Sequence, residues 1–137
     1  MEKTAKKRIV DVLILLLILL LSVGAASLVL YATRWGPWAF SDSAAYLSCA
    51  RNYSAGLGLS MTRADGIITP LTLFPPGYAF LLSRVSVWVG SDLLAARVID
   101  ALCFGLVVFI VAAGLLVLTQ DRLLAVASAA LVVASPV

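Results

Sequence analysis

Histidine is absent from the 137 residues, and only 12% of them are charged. The first absence removes imidazole as a proton carrier or metal ligand, so proton transfer within the chain falls to a carboxylate, a tyrosine or water. The scarcity of charge, beside 63% hydrophobic residues and a mean hydropathy of +1.10, argues against a water-soluble domain. Such domains are roughly half apolar and a quarter charged. Cysteine is limited to Cys49 in a polar segment and Cys103 deep in an apolar run. Two residues so placed make neither a disulfide framework nor a metal site and read as small packing residues. There is no GxGxxG or P-loop pattern, and Gly56-Leu57-Gly58 follows no strand, which speaks against nucleotide binding. No repeat is visible. The remaining class is an all-α integral membrane protein.

The charge that is present is unevenly placed. Lys3, Lys6, Lys7 and Arg8 crowd the start and abut an apolar run, Ile9 to Tyr31, whose only charge is Asp11. A nucleic-acid patch does not sit against such a run; a cytoplasmic topology signal does. The run rises about 34 Å as a helix, enough for a hydrocarbon core of about 30 Å. It is too long for the roughly 7–15-residue apolar region of a secretory signal. The sequence thus predicts a first span over 9–31 with the N-terminus in the cytoplasm. Trp35 and Trp38 fit an aromatic belt at the far interface. A second span is predicted over 98–118, with small residues Gly105, Ala112, Ala113 and Gly114 for close helix contact. Thr119 to Arg122 reads as a tight cytoplasmic turn. Residues 123–137 read as a third, truncated span, an expectation that makes the chain the N-terminal part of a longer protein.

Between the first two spans lies a polar, Pro- and Gly-punctuated region, 33–97, expected outside the cytoplasm. Ser41 to Ala55 reads as a surface helix with Ser41 as N-cap, Asp42 in the first turn and Gly56 as the stop. Asp42, Tyr46, Cys49 and Tyr53 recur at helical spacing on one face. Leu57 to Leu73 reads as loop, broken by Arg63, Asp65, Gly66 and Pro70. Pro75-Pro76 lead into Gly77 to Val89, which is short and carries Arg84 at its middle. An arginine at the centre of a spanning helix costs about 2.5–3.5 kcal/mol, so an interfacial or re-entrant helix is the better reading.

In order and spacing these residues resemble the N-terminal part of GT-C membrane glycosyltransferases. The similar branch is the bacterial one of protein O-mannosyltransferases, the lipid A aminoarabinose transferase and galacturonosyltransferases of the RgtA/B/C/D-like kind. The resemblance is carried by Asp42-Ser-Ala-Ala-Tyr46, the following Ala50-Arg-Asn52, Gly56-Leu-Gly58, Thr69-Pro70, Phe74-Pro-Pro-Gly-Tyr78, Ala95-Ala96-Arg97-Val98 and Ser135-Pro136. It implies an inverting enzyme that moves a sugar from a polyprenyl phosphate to an extracytoplasmic acceptor hydroxyl on a lipid, glycan or protein, in the plasma (inner) membrane. It also implies that the aspartate matching Asp42 acts as general base or positions the acceptor. Many members carry an acidic residue where Ser43 stands, and some a lysine where Pro75 stands. The lysine's role does not transfer to a proline; Arg63 and Arg84 are the replacements that charge offers.

The chemistry suits the residue types. Transfer needs a base for the hydroxyl proton and positive charge for the departing phosphate. A carboxylate at a helix N-terminus faces the positive end of the macrodipole, and it can also hold a divalent cation. No other cofactor is implied, since the donor arrives in the bilayer. Tyr46, Tyr53, Pro76 and Tyr78 are candidates for lining the substrate site, with Arg63 and Arg84 for the phosphate. The duller readings remain beside these: Asp42 as a cap in water, the tyrosines as interfacial anchors, Pro76 as a helix start. The alternative class is a non-catalytic polytopic membrane protein, a transporter subunit or lipid-binding assembly factor, with the outer loop as a docking surface.

Overall fold

The computed structural model describes residues 2–36 and 40–135. Trp38 and Pro136, named above, and the last residues of the third apolar run lie outside the described residues. The order is α1 (Glu2–Ala32), α2 (Ser41–Ser54), β1 (Ser60–Thr62), β2 (Ile68–Pro70), α3 (Pro76–Val89), α4 (Asp92–Thr119) and α5 (Arg122–Ala134). The fold is helical apart from one antiparallel hairpin, in which Met61 faces Thr69. Two helices are long and apolar enough to cross a membrane. With 31 and 28 residues, α1 and α4 rise about 46 and 42 Å. The apolar α5 has 13 residues and rises about 20 Å, short of a hydrocarbon core.

The chain divides into two compact units, Met1–Ala32 with Asp100–Val137, and Thr33–Ile99. In the first, Ile18 and Ala25 of α1 share a buried core with Val108, Ala112 and Leu116 of α4 and Ala125 and Ala129 of α5. Gly105 permits the approach of α4 to α1. A Cβ there would lie 2.8 Å from the Ser22 carbonyl oxygen and 3.2 Å from the Ala26 Cβ. Asp11 accepts two hydrogen bonds from the Arg122 guanidinium, at 2.9 and 2.7 Å. That pair ties the N-terminal part of α1 to the start of α5, so the two helices begin at the same end. The connection from α4 to α5 is two residues long. Gln120 takes the left-handed conformation (φ 57°) that a helix end often gives to glycine, and its amide donates to the Val117 carbonyl. Asp121 then caps α5, accepting from the Leu124 backbone at 3.1 Å.

In the second unit, Ala50 of α2, Leu82 of α3, and Ala95 and Ile99 in the first turns of α4 form the buried core. Three local features differ from the sequence expectations. Phe40 occupies the N-cap position and Ser41 is the first helical residue; the Phe40 backbone N–H donates to Ser43 Oγ at 3.3 Å. The region read as loop contains the hairpin, held by Arg63 N–H to the Ile67 carbonyl and Leu71 N–H to the Leu59 carbonyl, both 2.9 Å. Finally, α4 begins at Asp92, six residues before the predicted span, because Ser91 accepts from the Leu94 backbone at 3.4 Å and opens the helix in polar sequence. By contrast α3 follows its prolines closely. Pro75 is extended (ψ 129°), as a residue before proline must be, Pro76 opens the helix, and Gly90 closes it at φ 75°.

Candidate functional site

The candidate residues all fall in the Thr33–Ile99 unit, and α2 is the element that orders them. Tyr46 packs edge-on against Tyr78 with ring centroids 5.1 Å apart and tilts against Phe74 at 5.4 Å. Farther along, Tyr53 meets Phe80 edge-on at 5.5 Å. Both pairings rise together in number, so α2 and α3 run in the same direction. Cys49, between the two tyrosines, is fully buried, and burial pushes its thiol up from the ordinary value. The face predicted from helical spacing is therefore real, but most of it is packed against α3. Only Asp42, at the exposed N-terminal end, remains open. Ser41 Oγ donates to Asp42 Oδ1 at 3.1 Å, and no cation pairs with this carboxylate among the described residues.

What holds α2 in place is a residue that sequence reasoning did not single out. The buried Asn52 donates from its amide nitrogen to the Ser60 carbonyl and Ser60 Oγ, both at 3.2 Å, and to Thr62 Oγ1 at 3.1 Å. Thr62 Oγ1 donates in return to Asn52 Oδ1 at 3.3 Å, and the Thr62 backbone donates to Ser48 Oγ at 2.8 Å. These contacts fix the course of the hairpin. Ser60 sits at the level of Asn52 and Thr62 reaches that of Ser48, so β1 climbs toward the N-terminal end of α2. The turn that follows carries Arg63 in that direction, with Asp65 at 3.7 Å from its guanidinium and both side chains well exposed.

Arg84 is placed elsewhere. Its guanidinium lies over the Phe80 ring at 5.1 Å and the Tyr53 ring at 5.7 Å, at the C-terminal end of α2. There a cleft of about 430 Å³ is lined by Tyr53, Gly56, Gly58, Ser83, Arg84 and Val87, with the neighbouring Ser54. Tyr53 follows Asp42 by eleven residues, about 16 Å along the helix axis. The candidates thus separate into three places: Asp42, Tyr46, Pro76 and Tyr78 toward the N-terminal ends of α2 and α3, Arg63 in the hairpin turn, and Tyr53 with Arg84 at the cleft.

The other charges are engaged in structure. Arg51 pairs with Asp92 at the start of α4, and Arg97 donates to Thr33 Oγ1 at 3.0 Å. Of the two cysteines, only Cys49 is a buried packing residue; Cys103 is exposed on α4. No group of three or more His, Cys, Asp or Glu side chains that could hold a metal ion occurs among the described residues. No protein-family model, curated protein or solved structure matches this chain.

Proposed function

We propose that the chain is the N-terminal portion of a polytopic membrane glycosyltransferase. In this reading it transfers a sugar, with inversion, from a polyprenyl phosphate to an acceptor hydroxyl on the extracytoplasmic side of the plasma membrane. The observation that carries it is the state of Asp42: an exposed carboxylate, paired with no cation among the described residues, on a helix locked in place by Asn52, in a unit that lies in the chain between two helices of membrane-crossing length.

Asp42 takes the proton of the acceptor hydroxyl. The oxygen attacks the anomeric carbon from the face opposite the donor phosphate, the bond from that carbon to the phosphate oxygen breaks, and its electron pair leaves with the polyprenyl phosphate. Tyr46 lies one turn from Asp42 on the same face and, with Tyr78, forms a rigid aromatic wall for the acceptor. Pro76 fixes the start of α3 and with it the position of Tyr78. Arg63 is exposed, turned toward the same end, and only loosely paired, so it is the residue we assign to the departing phosphate. No step is assigned to a metal ion. The N-terminus lies in the cytoplasm, α1 and α4 cross, and α5 starts a third crossing; the shared end of α1 and α5, fixed by Asp11 and Arg122, supports that order.

Sugar transfer by the full-length protein from a polyprenyl-phosphate donor tests the reading. Asp42→Asn is expected to lower kcat by about 10²–10⁴, the contribution of a positioned base. Arg63→Gln is expected to lower kcat and weaken donor use while leaving acceptor KM unchanged. Undiminished turnover in Asp42→Asn would remove the carboxylate from the chemistry.

A further inference from the structure

The Arg84 cleft is not used by that reaction, and its chemistry is specific. Arg84 is its one charged lining residue, and no carboxylate lines it. Among the described residues Arg84 has no carboxylate partner, whereas Arg51, Arg63 and Arg122 each have one. The Phe80 and Tyr53 rings orient its guanidinium without neutralising it. Gly56 and Gly58 take left-handed conformations (φ 80° and 69°), and a Cβ at either would meet nothing within 4 Å, so this wall is bare backbone beside open space. Ser83, almost fully buried beneath the cleft, donates to the Phe80 carbonyl and braces the helix turn that carries Arg84. Val87, one of the lining residues, is 74% exposed, and the next residue in the chain, Trp88, is 89% exposed.

We propose that this cleft binds a phosphate ester, at a site separate from the transfer centre. The planar guanidinium presents paired donors that match two phosphate oxygens. The volume, about 430 Å³, falls within the 300–1,000 Å³ usual for small-ligand sites. The site is not that of the leaving phosphate, since a base acts within about 2.6–3.2 Å of the proton it takes and the cleft begins about 16 Å along α2 from Asp42. The exposed Val87 gives the cleft an apolar edge, and Trp88 follows it in the chain, which fits a lipid headgroup whose acyl chains leave past Val87.

The test uses the full chain in detergent micelles, in a Trp35→Phe/Trp38→Phe background that leaves Trp88 as the only indole. Trp88 emission is followed during titration with dihexanoyl phosphatidic acid, with dihexanoylglycerol, which lacks the phosphate, and with glycerol phosphate, which lacks the chains. Saturable binding of phosphatidic acid but not of dihexanoylglycerol is expected. Arg84→Gln and Val87→Glu should each weaken it tenfold or more, Arg84→Lys less. Saturation by glycerol phosphate at similar affinity would assign a soluble phosphate ester as the source; saturation by the lipid alone assigns a headgroup. Equal binding of dihexanoylglycerol, no saturation by either phosphate ester, or unchanged affinity in Arg84→Gln would overturn the proposal. Should Arg84→Gln lose its circular-dichroism signature, Val87→Glu carries the decision, since its side chain is exposed and adds a carboxylate to the cleft. Asp42→Asn should leave binding unaltered whatever its effect on transfer; a parallel loss would mean the two sites are one.

Discussion

Asn52 does more for the candidate site than any residue with chemistry of its own. Its amide bridges α2 to both ends of β1, and its burial makes each lost contact costly. Asn52→Ala removes those bonds, although Ser60 Oγ keeps the Leu57 carbonyl as a partner and Thr62 is exposed; a loss on the order of 1–3 kcal/mol is expected, read by thermal melting of the chain in detergent. The same substitution should make the hairpin turn the first point of proteolytic cutting. Cys49 gives a second residue-scale expectation. Burial favours its neutral thiol, so the unfolded chain releases this proton more readily than the folded one. Its contribution is fully present below the unfolded thiol's pKa of about 8.5 and is lost as pH rises from there toward the higher folded value. The wild-type melting temperature should fall over that range more steeply than that of Cys49→Ala. The helical spacing of Asp42, Tyr46, Cys49 and Tyr53 was legible in the sequence, because period alone decides a face. What that face touches was not: the edge-on contact of Tyr46 with Tyr78 joins residues 32 apart, and Asn52 acts through a hairpin that no pattern announced.

At the scale of elements, apolar runs and proline and glycine punctuation made all five helices readable, α2, α3 and α5 to within a few residues. The first and fourth extend beyond their apolar runs. Helix α1 continues through the basic segment because lysine and arginine are good helix formers, and α4 starts at a serine cap that hydropathy does not register. The hairpin was missed for a different reason: strands of three residues are too short to show alternation, and Asp65-Gly66 reads equally as a loop or as a tight turn. The small residues of α4 divide under scrutiny. Gly105 sits against the Ser22 carbonyl, whereas a Cβ on Gly114 would meet nothing within 4 Å. Gly105→Leu is therefore expected to destabilise the helix pair by about 1–3 kcal/mol through overpacking, while Gly114→Ala, whose Cβ meets nothing within 4 Å, is expected to be neutral or to stabilise by up to about 1 kcal/mol. Comparative melting in one detergent distinguishes them, and equal effects would deny the close approach.

At the scale of the whole molecule, the chain joins two units of different composition. One unit packs long apolar helices, two of them of membrane-crossing length with α4 counted, around Ile18, Val108 and Ala129, and leaves large side chains such as Leu20 and Leu102 uncovered. The other has a polar lock, ion pairs and a hairpin. Composition announced the first, and the cluster of polar residues between two apolar runs announced the second. The carboxylate chemistry proposed for Asp42 depends on this second unit standing outside the cytoplasm. The most direct measurement is accessibility labelling of a cysteine at Ala64→Cys, in the exposed hairpin turn beside Arg63 and Asp65, in a Cys49→Ala/Cys103→Ala background in intact cells. The expected result is complete reaction with a membrane-impermeant maleimide added from outside. Protection until the cells are opened would put Asp42 on the cytoplasmic side and contradict the account.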